Sequence, residues 1–533
     1  MPVTAHSGPA RLARRDVLRL GAGAAAGLLA GCASGHKAGP RTTTTLPTST
    51  SAPPGTAPTS APAAVDWSSL GRSLTGRLVR PGDSGYLTDL QLYDSRFDSV
   101  RPAGIAYCAS PSDVQRCVEF ARANSLPLAA RSGGHSYGGY STTTGLIIDV
   151  TPMATVQAAP GAAMVGAGAR LIDVYSTLNA AGVSIPAGSC PTVGIAGLTL
   201  GGGVGVVDRA YGLTCDALTA VDVVTADSRL VTASAASNPD LYWACQGGGG
   251  GNFGIVTGMR FRTFETTPLT LAFLTWPWEA AADVLPAWLE WAPPGPDQLW
   301  SNCLLETQPS SSSPKLQVGA VLIGAASGLD PLLSRLEGAV GASPSQRLVE
   351  TVPFDHAMYV EGGCASFTQA ACHLPSQSPG GMLTRQPSLA KSSYLTGPLG
   401  DRGVQAVVAG IDARQSERAQ GAVGFDAYGG AINRVSPSAT AFVHRSALAS
   451  AQFNVPFDPA TPAAQLASSQ SWLNSWYATV APYTSGSAYQ NYIDPDLPSW
   501  AQAYYGSNLA RLMQIKRSWD PDNAFSFPQS IPL

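Results

Sequence analysis

Three separate runs of glycine constrain any fold of this 533-residue chain. Residues 131–141 read RSGGHSYGGYS, residues 188–205 read GSCPTVGIAGLTLGGGVG, and residues 243–257 read WACQGGGGGNFGIVT. Glycine lets a backbone turn sharply and approach other atoms closely. Three such loops, separated by alternating strands such as TAVDVVTAD (219–227), imply main chain packed along one extended ligand.

The first loop has two incompatible readings. From Gly134 it spells Gly-His-Ser-Tyr-Gly, a fit to the G-x-S-x-G turn that presents a hydrolase serine between a strand and a helix. Upstream, the spacing Ser112–Gln115 with Val114, Cys117, Val118 and Ala121 predicts a helix ending near Asn124. Short strands are expected at 126–131 and 146–150. A strand therefore precedes Ser136, but Tyr-Gly-Gly-Tyr-Ser-Thr-Thr-Thr-Gly follows it, a sequence ill suited to a helix. The elbow reading is disfavoured. A glycine turn carrying Arg131, Ser132 and Ser136 suits a diphosphate held by backbone N–H groups and hydroxyls, with a plain tight turn as the alternative. Neither later loop is a G-x-G-x-x-G turn between strand and helix, which disfavours a Rossmann dinucleotide fold.

The N-terminus reads as an export signal. Arg14-Arg15 precede an apolar stretch from Val17 to Ala30 that is shorter than the ~20 residues needed to span a bilayer. The arginine pair resembles a twin-arginine signal, and Leu29-Ala30-Gly31-Cys32 resembles a lipoprotein box, which would lipidate Cys32; cleavage and release is the alternative. Residues 33–65, rich in Thr, Pro, Ala and Ser, read as a disordered tether. The formal charge is −3 with no basic block, so a nucleic-acid partner is not expected. Export permits disulfides, and Cys364 with Cys372 would close a short loop. No Cys-x-x-Cys or His/Cys cluster suggests a metal.

Four motifs in order, RSGGHSYGGYS, CPTVGIAGLTLGGGVG, LYWACQGGGGGNFGIVT and the C-terminal YQNYID with WDPDNAFSFPQSIP, resemble the berberine-bridge-enzyme-like FAD-linked oxidases. Within that family the chain is most similar to the oligosaccharide oxidases, from about residue 85 onward. The resemblance implies an α+β protein: a PCMH-type FAD-binding domain of two α/β subdomains (66–270), then a substrate domain whose antiparallel sheet is covered by helices (271–475). A C-terminal segment (476–533) would return to the flavin domain.

It further implies bicovalent FAD, bonded through the 8α-methyl to His135 and through C6 to Cys190. The opening ambiguity thus resolves towards His135. The flavin would be bound by Arg131, Ser132, Gly133, Gly134, Ser136 and Tyr137 of the first loop. The second would add Pro191, Thr192, Val193, Gly194, Gly197, Gly201, Gly202 and Gly205. Gly251, Asn252, Gly254, Ile255, Val256 and Asn491 complete the expected set.

By the same resemblance, Tyr492 of YQNY is the proton acceptor for an alcohol and Asp426 of GFDAYGG assists it. A free tyrosine titrates near 10, so it needs that help, and a close carboxylate makes the pair coupled. No glutamate matches the base of the berberine-bridge branch. Val193 stands where oxygen access is gated, and valine implies an oxidase. The expectation is an exported, monomeric oxidase of a reducing sugar, forming a lactone and H2O2. Alternatives are an oxidase tailoring antibiotic or alkaloid scaffolds, a serine hydrolase, or a binding protein with a degenerate flavin site.

Overall fold

The computed structural model describes residues 65–533; the expected export signal, Cys32 and nearly all of the tether lie outside the described residues. Strands β1 (Arg77–Val79), β2 (Gly104–Tyr107), β3 (Leu128–Arg131) and β4 (Leu146–Asp149) form a sheet in the order β1-β2-β4-β3. It is parallel at β2–β4 and β3–β4 and antiparallel at β1–β2. Leu146, Ile147 and Ile148 are all fully buried, the continuous apolar run of a parallel strand covered on both faces.

Helix α1 (Pro111–Ala123) buries Val114, Cys117, Val118 and Ala121 against this sheet. It starts two residues earlier than the Ser112 capping box implies: Ser110 is the N-cap, its Oγ accepting from Asp113 N–H at 3.2 Å. Pro111 takes the first helical position, where its fixed φ is already suitable, and this overrides the later capping-box spacing.

The second sheet is antiparallel throughout. Its strands are β5 (Val156–Ala159), β6 (Ala162–Gly166), β7 (Leu218–Val224), β8 (Leu230–Ser234) and β9 (Ile255–Arg262), in the order β5-β6-β9-β7-β8. Helices α2 (Leu171–Ala180) and α3 (Ile195–Leu200) pack into the core that the two sheets share.

The third sheet holds seven antiparallel strands: β10 (Leu269–Trp276), β11 (Leu299–Glu306), β12 (Lys315–Ile323), β13 (Gln346–Val352), β14 (Ser388–Leu395), β15 (Ala422–Ala427) and β16 (Ala449–Pro456). Their order is β13-β10-β12-β11-β15-β16-β14. Period-two alternation gives this sheet unlike faces. Along β16, Ala449, Ala451, Phe453 and Val455 enter an apolar core, and along β15 Val423, Phe425 and Ala427 do the same. The intervening Asp426, Ser450, Gln452 and Asn454 belong to the opposite face.

Helices α4 (Ala281–Trp291) and α5 (Ala326–Val340) cover the apolar face. Helix α6 (Phe354–Glu361) instead buries Phe354, Ala357, Met358 and Val360 in the core of the first two sheets. Helices α7 (Gly400–Ser416) and α8 (Ala463–Val480) return to the apolar face. This unit runs from 269 to 480, so the boundaries expected at 270–271 and 475–476 fall inside β10 and α8.

The C-terminal segment, ending with α9 (Leu509–Trp519), lies on the glycine loops. The Tyr489 hydroxyl accepts from Gly203 N–H at 2.8 Å, Gln490 Nε2 donates to Gly247 O at 2.6 Å, and Asn252 Oδ1 accepts from Ile531 N–H at 2.9 Å. One buried arginine ties the halves together: Arg209 donates to the carbonyls of Leu299, Pro293, Gly295 and Tyr428.

Candidate active site

Between the glycine loops and the polar face of the third sheet lies a cavity of about 490 Å³. Its first wall is the loop after β3, where Gly134 and Gly139 adopt left-handed φ of 70° and 72°. No helix follows Ser136. The Ser136 hydroxyl accepts from Tyr140 N–H at 3.0 Å and so closes a turn. His135 pairs elsewhere, Nε2 to Thr192 Oγ1 at 2.9 Å, and Tyr93 stacks on its ring with centroids 4.0 Å apart. Burial, reinforced by the Arg170 guanidinium, pushes the His135 pKa down to about 3, so the imidazole is neutral at any physiological pH.

Cys190 faces the same cavity, and its Sγ lies 3.8 Å from the same Thr192 hydroxyl. The loops touch backbone to backbone: a Cβ on Gly133 would stand 2.2 Å from Gly194 N, and one on Gly194 2.2 Å from Ser132 Oγ. Glycine is therefore required at both positions. Arg131 is spent structurally, donating to the carbonyls of Ser141, Asp89 and Leu90 and lying 3.9 Å from Asp149.

The structure brings together in this cavity His135, Cys190, Tyr492 and Asp426, with Arg131, Ser132, Gly133, Gly134, Ser136, Tyr137, Val193, Gly194, Gly197, Gly205, Gly251, Asn252, Gly254, Ile255, Val256 and Asn491. Four of the expected cofactor-binding residues do not line it. Thr192 is fully buried and acts through His135. Pro191 packs against Gly362. Gly201 sits under the Asn491 side chain, and Gly202 abuts Phe442. These glycines make room for protein, because α3 ends there and the C-terminal segment covers the turn.

The residues present fit an FAD. Gly197, Gly250 and Gly251 line the cavity, and a Cβ on Gly197 would meet no atom within 4 Å. A side chain there would project into the space the cofactor needs.

At the far end, Tyr492 stacks on Tyr137 with centroids 5.8 Å apart and meets Tyr489 edge-on at 4.9 Å. Gln452 Nε2 donates to the Tyr137 hydroxyl at 3.2 Å. Asp426 pairs in register with Asn302 and Ser450 on the flanking strands, and Ser450 Oγ donates to Asp426 Oδ2 at 3.5 Å. No hydrogen bond joins Asp426 to Tyr492 among the described residues; their coupling is electrostatic. Burial pushes the Asp426 carboxyl up to about 7. Burial and the Asp426 charge together push the Tyr492 phenol well above its ordinary range.

Sequence reasoning missed two acids here. Glu361, the last residue of α6, and Asp208, beside the stapling Arg209, also line the cavity. Burial and Asp426 raise Glu361 to about 7; burial raises Asp208 to about 8 against a bond from Gly205 N–H, with Asp426 adding to the rise. Glu361 lies in YVEGG, outside the four motifs that carry the family resemblance.

Comparison with known proteins agrees with this geometry. The family described as "FAD binding domain" matches residues 102–234, and that described as "Berberine and berberine like" matches residues 488–532. The uncharacterised FAD-linked oxidoreductase YgaK of Bacillus subtilis is 34% identical over 471 residues, covering 86% of this chain and 97% of its own. The chain belongs to the berberine-bridge-like FAD-linked oxidoreductases.

The structure of BBE-like 1 from Physcomitrella patens superposes with a TM-score of 0.79 at 31% identity, covering 87% of this chain and 99% of that one. A xylooligosaccharide oxidase from Myceliophthora thermophila, solved with xylobiose, gives 0.76 at 27% identity over 88% and 99%. This oxidoreductase thus has the PCMH-type α+β architecture, and FAD is its cofactor. Its substrate sheet is antiparallel with helices on one face, as the family resemblance implied.

Proposed function

We propose that this FAD-linked oxidoreductase oxidises an alcohol, foremost the anomeric hydroxyl of a reducing oligosaccharide, to a lactone. The observation that carries the reading is the convergence of Tyr492 and Asp426 on one chamber whose sheet wall bears Asn302, Gln317, Gln452 and Asn454. Amides and carboxyls in that density suit a polyhydroxylated ligand. The similarity to a xylooligosaccharide oxidase supports the same substrate class.

Loss of two electrons and two protons turns the anomeric CH–OH into the lactone C=O. Tyr492 takes the hydroxyl proton. Because its phenol is held protonated at rest, it must pass its own proton on as it does so, and Asp426, titrating near 7, is the acceptor by way of a water or substrate hydroxyl that bridges the two side chains. An FAD held by the three glycine loops would supply the two-electron acceptor, and O2 would take up the two electrons and two protons as H2O2. Val193 lines the cavity, and the family resemblance implies that a valine at this position admits oxygen.

His135 and Cys190 are the two attachment points for the flavin, and neutral His135, oriented by Thr192, is the form able to make such a bond. The protein is exported by the twin-arginine route and tethered through Cys32. The Cys364–Cys372 disulfide supports an oxidising location.

The test is anaerobic flavin absorbance of the mature protein, challenged with cello-, xylo-, chito- and malto-oligosaccharides. Rapid bleaching by one series supports the reading and names the sugar. A flavin untouched by every sugar overturns it in favour of a non-carbohydrate alcohol.

A further inference from the structure

Once its buried acids ionise, near pH 7–8, the chamber's charges do not balance. Its basic lining residues are Arg131, which ion-pairs with Asp149, and His135, which is neutral. Asp94 is answered by Arg96 at 2.6 Å. That leaves Asp208, Glu361 and Asp426, none of which forms an ion pair among the described residues. The neighbouring Arg209 spends its guanidinium on four carbonyls.

Unpaired acceptors of other kinds line the same space. Asp208 Oδ1 has no hydrogen-bond partner, and neither has Asn454 Oδ1 on β16; both residues are only 3% exposed. Burying an acceptor without a donor is costly, and more so for a charged group. A chamber kept this way is short of donors and of positive charge.

Glu361 sharpens the point. It is 6% exposed, accepts no hydrogen bond from any described residue, and occupies the last position of the eight-residue helix α6. The helix dipole disfavours a carboxylate at a C-terminus, so this position does nothing for the helix. Carboxylate and helix C-terminus both favour a cation.

We propose that the substrate carries a protonated amine and that Glu361 is the residue that binds it. Under the proposed function, this makes the substrate a reducing amino sugar or an oligomer of one with a free amine, rather than a neutral or acidic sugar. An ammonium offers three donors and the missing charge, whereas a hydroxyl offers one donor and none. The amine-binding claim stands on the chamber alone, and the sugar claim rests on the alcohol-oxidation reading.

Two measurements on the flavin-loaded enzyme separate them. The first is calorimetric binding of cyclohexylammonium against cyclohexanol at about pH 8.5, where an alkylammonium stays charged. The ammonium is expected to bind about 10-fold or more tightly than the alcohol, a difference of ~1.4 kcal/mol. Glu361→Gln should remove most of that preference, and Glu361→Asp, which keeps the charge, should retain part of it. Equal affinities, or a preference that survives Glu361→Gln, would overturn the amine site whatever the enzyme oxidises.

The second measurement compares anaerobic flavin reduction by 2-amino-2-deoxyglucose and by glucose. A higher kcat/KM for the amino sugar, lost in Glu361→Gln, supports the proposal. A preference for glucose overturns it while leaving sugar oxidation intact. If neither these sugars nor any of the four oligosaccharide series reduces the flavin, the sugar reading fails, and the calorimetry alone decides whether an amine is bound.

Discussion

The rings of Tyr137 and Tyr492 lie 14° from parallel with their centroids 5.8 Å apart, so a residue of the first glycine loop positions one from the C-terminal segment. Tyr492→Phe keeps that stacking and the edge contact with Tyr489 and removes only the hydroxyl. We expect kcat to fall roughly 10²- to 10⁴-fold, the range for a lost general base. Flavin content and melting temperature should be unchanged. A variant with near-normal kcat would show that Tyr492 is packing alone.

Under the proposed proton transfer, Asp426 sets the pH dependence. Its carboxyl must be ionised to accept a proton and titrates near 7, so the rate should rise with pH through that value. Asp426→Asn should lower the rate and abolish that limb of the profile, which stopped-flow reduction across pH would reveal.

The same carboxyl acts on stability with the opposite sense. Between its ordinary value of 3.8 and about 7, the unfolded chain releases this proton while the folded chain keeps it. Its contribution is therefore complete below that window and lost as pH rises through about 7. Asp426→Asn should melt higher than wild type above neutrality, by on the order of 1–3 kcal/mol, and show no advantage near pH 4. Thermal melts of flavin-loaded protein at both pH values check the sign.

Thr192 touches both proposed attachment residues, although it lies 57 positions beyond His135 in the chain. His135→Ala or Cys190→Ala alone should leave flavin bound to denatured protein through the remaining link, and the double variant should release it. Thr192→Val, isosteric but without the hydroxyl, should slow attachment at His135. Flavin fluorescence of the denatured band on a gel reads all four outcomes. Ser136→Ala, by contrast, should perturb flavin binding without abolishing turnover, since that hydroxyl closes a turn on the cavity wall.

Cys364 and Cys372 close a loop eight positions long behind α6. Replacing both with serine should cost about 2–3 kcal/mol by loop entropy, read as a lower denaturant midpoint. Because Glu361 lies three residues before Cys364, the amine affinity should weaken with it.

The flavin half of the site was legible because its chemistry is contiguous. Loops such as RSGGHSYGGYS carry turn, hydroxyls and histidine within a few residues, and their glycines follow from close backbone contact. The individual roles were less so. Gly201 and Gly202 read as cofactor contacts but make room for Asn491 and Phe442, a distinction that only the returning C-terminal segment creates.

The substrate half was legible at Asp426 alone. Gln452, Asn302 and Gln317 face the chamber through strand alternation and a register set by partners on other strands, as distant as Asp426 is from Asn302, which local pattern does not encode. Glu361 and Asp208 were invisible for a related reason. Each sits in an ordinary stretch, and only burial beside Asp426 makes it unusual.

The two unlike faces of the third sheet carry a consequence for divergence. What this enzyme recognises and what keeps it folded are carried by alternate residues of the same strands. Under the proposed function, exchanging Gln317, Gln452 or Asn454 would alter the substrate while leaving Val318, Phe453 and Val455 in place. A lineage with such a sheet can change diet one side chain at a time without first surviving a loss of stability.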